Sequence, residues 1–214
     1  MHIPDGYLSP ETCVISYVVT VPLWFYGFKK LKERLNEETL PTLSALSALS
    51  FVVMMFNIPV PGGTSAHAVG AVLIAILFGP WIGFVSVSLV LLVQSLVFGD
   101  GGVSAWAVNS FAMGFIGCFT GYYLFKALKR KTRFAPFIAG YFGILISALV
   151  IGAVLGIQPL FWSESGRPLY FPFDLKIALP AMLGAHLLVG FAEGFLTQAV
   201  YDFLTKKENE KVAV

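Results

Sequence analysis

The chain has 214 residues, of which 57% are hydrophobic and only 12% charged, with a formal net charge of +2. That charged fraction is about half the globular norm and excludes a soluble domain, and no nucleic-acid partner is expected. Apolar runs near 20 residues long recur throughout, the pattern of an all-α polytopic membrane protein.

Helix 1 is expected over Leu8–Phe28, followed by the basic stretch Lys29-Lys30-Leu31-Lys32-Glu33-Arg34. No cleavable signal peptide is visible in residues 1–7, so this helix would serve as its own insertion signal. Helix 2 is expected over Leu40–Phe56. The run Asn57-Ile58-Pro59-Val60-Pro61-Gly62-Gly63-Thr64 cannot be helical for long. Thr64 or Ser65 could then cap helix 3, placing His67 in its first turn. That helix ends near Phe78 and would rise about 21 Å, short of a bilayer core of about 30 Å. Gly79-Pro80 turns the chain into helix 4, Trp81–Phe98, and Gly99-Asp100-Gly101-Gly102 breaks it again. Helix 5 follows over Trp106–Leu128, helix 6 over Phe134–Ile157 and helix 7 over Asp174–Leu204. An aromatic, proline-rich loop over 158–173 separates the last two. Residues 1–205 thus read as one transmembrane domain and 206–214 as a polar, frayed tail. Cys13 and Cys118 fall inside apolar segments, where thiols usually pack.

Twelve of the 14 basic residues fall in three segments that share one side if the N-terminus is outside. The positive-inside bias therefore predicts an outer N-terminus, a cytoplasmic C-terminus and an odd number of crossings, about seven. Residues 1–6, the His67 loop, the Asp100 loop and the 158–173 loop would then all lie on the outer face.

The first residues, Met1-His2-Ile3-Pro4-Asp5-Gly6, offer a specific chemistry. The Met1 amine, the His2 backbone nitrogen once deprotonated and the His2 imidazole can close a five- and a six-membered chelate ring on one metal ion. Pro4 has no N–H to extend the series, so a fourth donor must come from elsewhere, and His67 is the best candidate. The site requires a free amine on a retained Met1, and the bulky His2 protects Met1 from aminopeptidases. A plane of four nitrogens suits Ni²⁺, and Cu²⁺ still better by raw affinity; Co²⁺ follows the same ligands. Gln94 and Asn109 could orient the imidazoles. His186 and Glu193, seven apart on one face of helix 7, form either a hydrogen-bonded pair or a proton relay. With no phosphate loop in the sequence, any ATP use must come from a partner.

The opening Met1-His2-Ile3-Pro4-Asp5-Gly6-Tyr7-Leu8-Ser9, with His67 after a proline- and glycine-rich loop, resembles the CbiM/NikM family. These are substrate-binding S components of energy-coupling-factor transporters for cobalt and nickel. The resemblance implies a metal held by Met1, His2 and His67, with nickel or cobalt as transported substrate and no organic cofactor. It also implies a transmembrane coupling subunit, cytoplasmic ATP-binding subunits and a small accessory membrane protein as partners, in a bacterial or archaeal cytoplasmic membrane. The chain would be a transporter subunit and not an enzyme, with the 158–173 loop as a lid. A cobalt-specific subunit and a proton-coupled carrier using His186 and Glu193 are the alternatives.

Overall fold

The computed structural model describes residues 1–60 and 64–212, the last six as backbone only. Pro61, Gly62 and Gly63 of the expected loop, and residues 213–214 of the tail, lie outside it. Seven main helices are present among the described residues: α1 Pro10–Arg34, α2 Thr39–Met54, α3 Ala71–Phe78, α4 Pro80–Phe98, α5 Trp106–Leu128, α6 Ala135–Gly156 and α7 Leu175–Val212. Five of them, α1 and α4 to α7, are long and apolar enough to cross a membrane. The chain is therefore a multi-pass membrane protein. Helix 3, expected to fall short of a full crossing at about 14 residues, is shorter still: α3 has eight residues, and α2 has 16. Eight residues rise about 12 Å, well short of a bilayer core of about 30 Å.

The missing depth beside α3 is taken up by extended chain. Thr64–Ala66 pairs antiparallel with Ile58–Val60, Ile58 lying opposite Ala66, and the backbone stays non-helical up to Gly70. Non-helical backbone inside an apolar bundle is tolerated only where its polar groups find partners. Here Glu193 on α7 accepts the N–H groups of Val69 at 2.6 Å and Gly70 at 2.9 Å. Ser50 on α2 donates to the Val69 carbonyl at 2.6 Å. Gly70 sits at φ +72, with space for a Cβ but in a left-handed conformation that disfavours one. These contacts stop α3 from starting at Thr64 or Ser65. His67 is four residues before the helix and not in its first turn.

Other boundaries shift for local reasons. Ser9 accepts from the Thr12 amide at 3.1 Å and Pro10 occupies the first turn, so α1 starts there and runs through the basic stretch to Arg34. α7 continues to Val212, beyond the expected start of a frayed tail. Two helices carry π-helical turns, Gln94–Phe98 ending α4 and Ser110–Ile116 inside α5. Each adjoins a polar residue facing the chain start. The 158–173 segment contains a helical turn, Gln158–Phe161, and a two-residue hairpin. Small residues serve close packing within the chain: a Cβ on Gly121 would meet Val72, and one on Gly194 would meet Phe137.

Candidate metal centre

The first residues are not a loose tail. Met1 and Ile3 are fully buried, and His2 is 4% exposed. Asn109 holds Ile3 from both sides of its peptide groups: its Oδ1 accepts the Ile3 N–H at 3.0 Å and its Nδ2 donates to the Ile3 carbonyl at 3.1 Å. Gly102 donates to that same carbonyl at 2.8 Å. A Cβ on Gly102 would run into the backbone of Pro4 and Asp5, so glycine permits the approach. The Asp5 carboxylate accepts the N–H groups of Val103 at 3.1 Å and Ser104 at 2.8 Å. Gln158 receives the Ser9 N–H at 2.9 Å, and Phe171 donates to the Tyr7 carbonyl at 3.2 Å.

These ties bring Met1, His2 and His67 together. The Met1 amine donates to the Ser65 carbonyl and lies 3.2 Å from Ser65 Oγ. The His2 and His67 rings stack with centroids 4.5 Å apart and planes 21° from parallel. Burial pushes the Met1 amine down from its ordinary value of 8.0 to about 4, partly opposed by Asp100, so it is neutral at pH 7. Burial, reinforced by the neighbouring amine and His2, holds His67 well below its ordinary value, and burial is also the main cause at His2. The neutral state of His67 therefore comes from desolvation and not from a helix dipole.

The hydrogen-bond partners define which nitrogens remain available. His67 Nδ1 lies 3.0 Å from the Ala68 carbonyl, which can only accept. Nδ1 therefore carries the proton and Nε2 keeps its lone pair, buried and without a partner among the described residues. His2 Nδ1, the atom a six-membered chelate needs, lies 3.1 Å from Asp100 Oδ1 but off the angle for a hydrogen bond. Among the described residues, the His2 amide N–H has no acceptor. No group of three or more His, Cys, Asp or Glu side chains is gathered among the described residues. The nitrogen cluster differs from such a group because an amine and a backbone amide belong to it.

The other expected residues separate by role. Gln94 Oε1 faces the His2 ring and favours its protonated form, without completing a hydrogen bond. Asn109 grips the main chain of Ile3 instead of an imidazole. His186 binds its own helix, Nδ1 to the Met182 carbonyl at 2.7 Å, and Glu193 binds Val69 and Gly70, so the two do not pair with each other. The 158–173 loop touches Tyr7 but does not line the pocket beside His2. That pocket, about 320 Å³, is lined by residues of the segments 2–4, 57–65 and 99–101. Ser65, Asn57 and Asp100 were not singled out by sequence reasoning. The flanking glycines of Asp100, on the same face as His2, were the available signal.

Comparison with known proteins identifies the family. Residues 2–211 match the family described as CbiM, cobalt uptake substrate-specific transmembrane region. The chain is 43% identical over 212 residues to the probable fused nickel transport protein LarMN of Lactiplantibacillus plantarum, covering 96% of this chain and 65% of that one. It thus spans about two thirds of that fused relative. It is 42% identical over 210 residues to a putative metal transport protein of Methanocaldococcus jannaschii, covering 97% and 92% of the two chains. A crystal structure of a transition metal transporter superposes with a TM-score of 0.94 at 43% identity, over 100% of this chain and 96% of that one. A family match over nearly the whole length, joined to near-identical architecture, means that the chain belongs to the CbiM family.

Proposed function

We propose that the chain is the substrate-specificity subunit of an energy-coupling-factor importer, capturing Ni²⁺ at its outer face, with Co²⁺ as the alternative substrate. The ligands are the Met1 amine, the His2 amide nitrogen and imidazole, and His67 Nε2. One observation carries the reading: a buried, neutral chain-terminal amine sits beside a second buried nitrogen, His67 Nε2, whose lone pair has no partner among the described residues. Desolvating such groups costs energy unless a ligand uses them. Nickel is favoured because an ionised amide and three further nitrogens suit a square plane. The name of the LarMN relative supports nickel, and the family description supports cobalt.

The outer position of the terminus rests on the distribution of basic residues. Uptake against a gradient then falls to a coupling subunit and ATP-binding subunits, with a small accessory membrane protein completing the assembly. The proton-carrier reading gains no support from Glu193, whose oxygens are occupied by the Val69 and Gly70 amides.

The test is a nickel titration of the detergent-solubilised chain with an unmodified Met1. Replacing His67→Ala, or adding one glycine ahead of Met1, should weaken binding at least about a hundredfold, in the range expected for metal-site changes. Unchanged affinity in both variants would overturn the assignment.

A further inference from the structure

The ligand nitrogens are buried, so a hydrated cation must first meet the protein somewhere else. The pocket of about 320 Å³ that reaches His2 is lined by Pro4, Asn57, Pro59, Thr64, Ser65 and the 99–101 turn. Asp100 carries the only acidic side chain in that lining among the described residues, and its side chain is 19% exposed. The nearby Asp5 carboxylate is engaged by Val103 and Ser104.

The two oxygens of Asp100 have different surroundings. Oδ2 accepts from Asn57 Nδ2 at 3.2 Å, which ties the 99–102 turn to the segment leading into the β-hairpin across the pocket. Oδ1 points inward, 3.1 Å from His2 Nδ1. The Asp100 amide donates to the Gln94 carbonyl at 3.1 Å, closing the π-helical end of α4 and fixing where the carboxylate stands. One oxygen is therefore held, while the other adjoins a ring nitrogen that is buried and has no hydrogen-bond partner among the described residues.

We propose that Asp100 is the outer capture carboxylate: it takes the divalent cation from solvent at the mouth of this pocket and passes it to His2, while Asn57 holds it in place. This deepens the nickel reading above and rests on it. A hard carboxylate oxygen binds a hydrated divalent ion readily and loosely, whereas borderline nitrogen donors hold it. The contact between Oδ1 and Nδ1 reduces the handover to a single ligand exchange. Asp100 holds the cation only in transit, so its signature lies in the rate of association.

Stopped-flow association and competitive-chelator dissociation with NiCl₂ test this on the full detergent-solubilised chain. Asp100→Asn should slow association about tenfold at low ionic strength, the lower range of electrostatic steering. It should leave dissociation within about twofold and remove most of the salt dependence of association. Asp100→Glu, which keeps the charge, should stay within about threefold of the unmodified chain. Asn57→Ala, which keeps Asp100 but frees Oδ2, should fall between the two. Association unchanged in Asp100→Asn overturns the proposal, as does faster dissociation with normal association, which would make Asp100 a permanent ligand. If the unmodified chain binds no nickel, both readings fall; if it binds and Asp100→Asn binds equally fast, only this one does.

Discussion

Proton release on nickel binding is the sharpest consequence of the buried terminus. An amine at its ordinary value of 8.0 is mostly protonated at pH 7, and losing that proton to make room for a metal costs about elevenfold in affinity at pH 7 and about a hundredfold at pH 6. Held at about 4, the Met1 amine has no proton to lose at either pH. His2 and His67 are both lowered by burial and are likewise neutral at pH 7. The only proton left to release is that of the His2 amide. Between pH 7 and 8, nickel binding should therefore release about one proton, and the dissociation constant should fall about tenfold per pH unit, about 1.4 kcal/mol. Calorimetric titration in buffers of different ionisation enthalpy reads the proton count directly. A release near two protons at pH 7 would mean that the free protein carries a charged terminus, and the proposed preorganisation would be refuted.

Three further outcomes follow from the same contacts. Asn109→Ala leaves the buried Ile3 N–H without its acceptor, at a cost of about 1–3 kcal/mol; it should raise the nickel dissociation constant about tenfold or more and speed hydrogen exchange over residues 2–5. Glu193→Ala strips the acceptors from Val69 and Gly70 and should lower thermal stability by about 2–4 kcal/mol, with Glu193→Gln milder because one oxygen remains; equal stability in all three proteins would contradict the role given to this carboxylate. The third concerns acid. Because the Met1 amine is lowered on docking, the undocked terminus holds more protons between pH 8 and about 4. Docking is then fully stable above pH 8 and weakens by about 1.4 kcal/mol per pH unit as pH falls toward 4. Exchange protection at Ile3 should follow that curve, and a flat profile would refute it.

The long helices were legible because apolar length and Gly-Pro breaks are local signals, and α4 to α6 start and stop close to where those signals fall. The proximity of His67 to Met1 and His2 was expected for a different reason: chelate-ring chemistry links the Met1 and His2 nitrogens and leaves one donor to be found, for which His67 was the best candidate. The route from Thr64 to Gly70 was not legible. Its sequence reads as a capped helix, and only partners far along the chain, Ser50 and Glu193, make the extended form stable. Periodicity put His186 and Glu193 on one face and suggested a pair, but it could not reveal that each is claimed by a nearer backbone group. Asp100 and Asn57 come from two turns that meet only in the folded bundle, so no spacing in the chain announces them.

A terminus proposed as a ligand must be held in place, and the energetics favour one form of it for docking. At pH 7, giving up the amine proton costs about 1.4 kcal/mol, whereas burying the amine charged would cost about 5 kcal/mol, the equivalent of moving its pKa from 8.0 to about 4. Docking therefore proceeds through the neutral amine. Burying the Ile3 side chain alone contributes about 1.5–3 kcal/mol, enough to offset the proton. The first two residues are thus stripped of proton and water by the burial of the third, and Asn109 fixes the register in which this happens. On the proposed reading, Ile3 and Asn109 would serve metal capture by holding the donors in place, although neither would touch the ion.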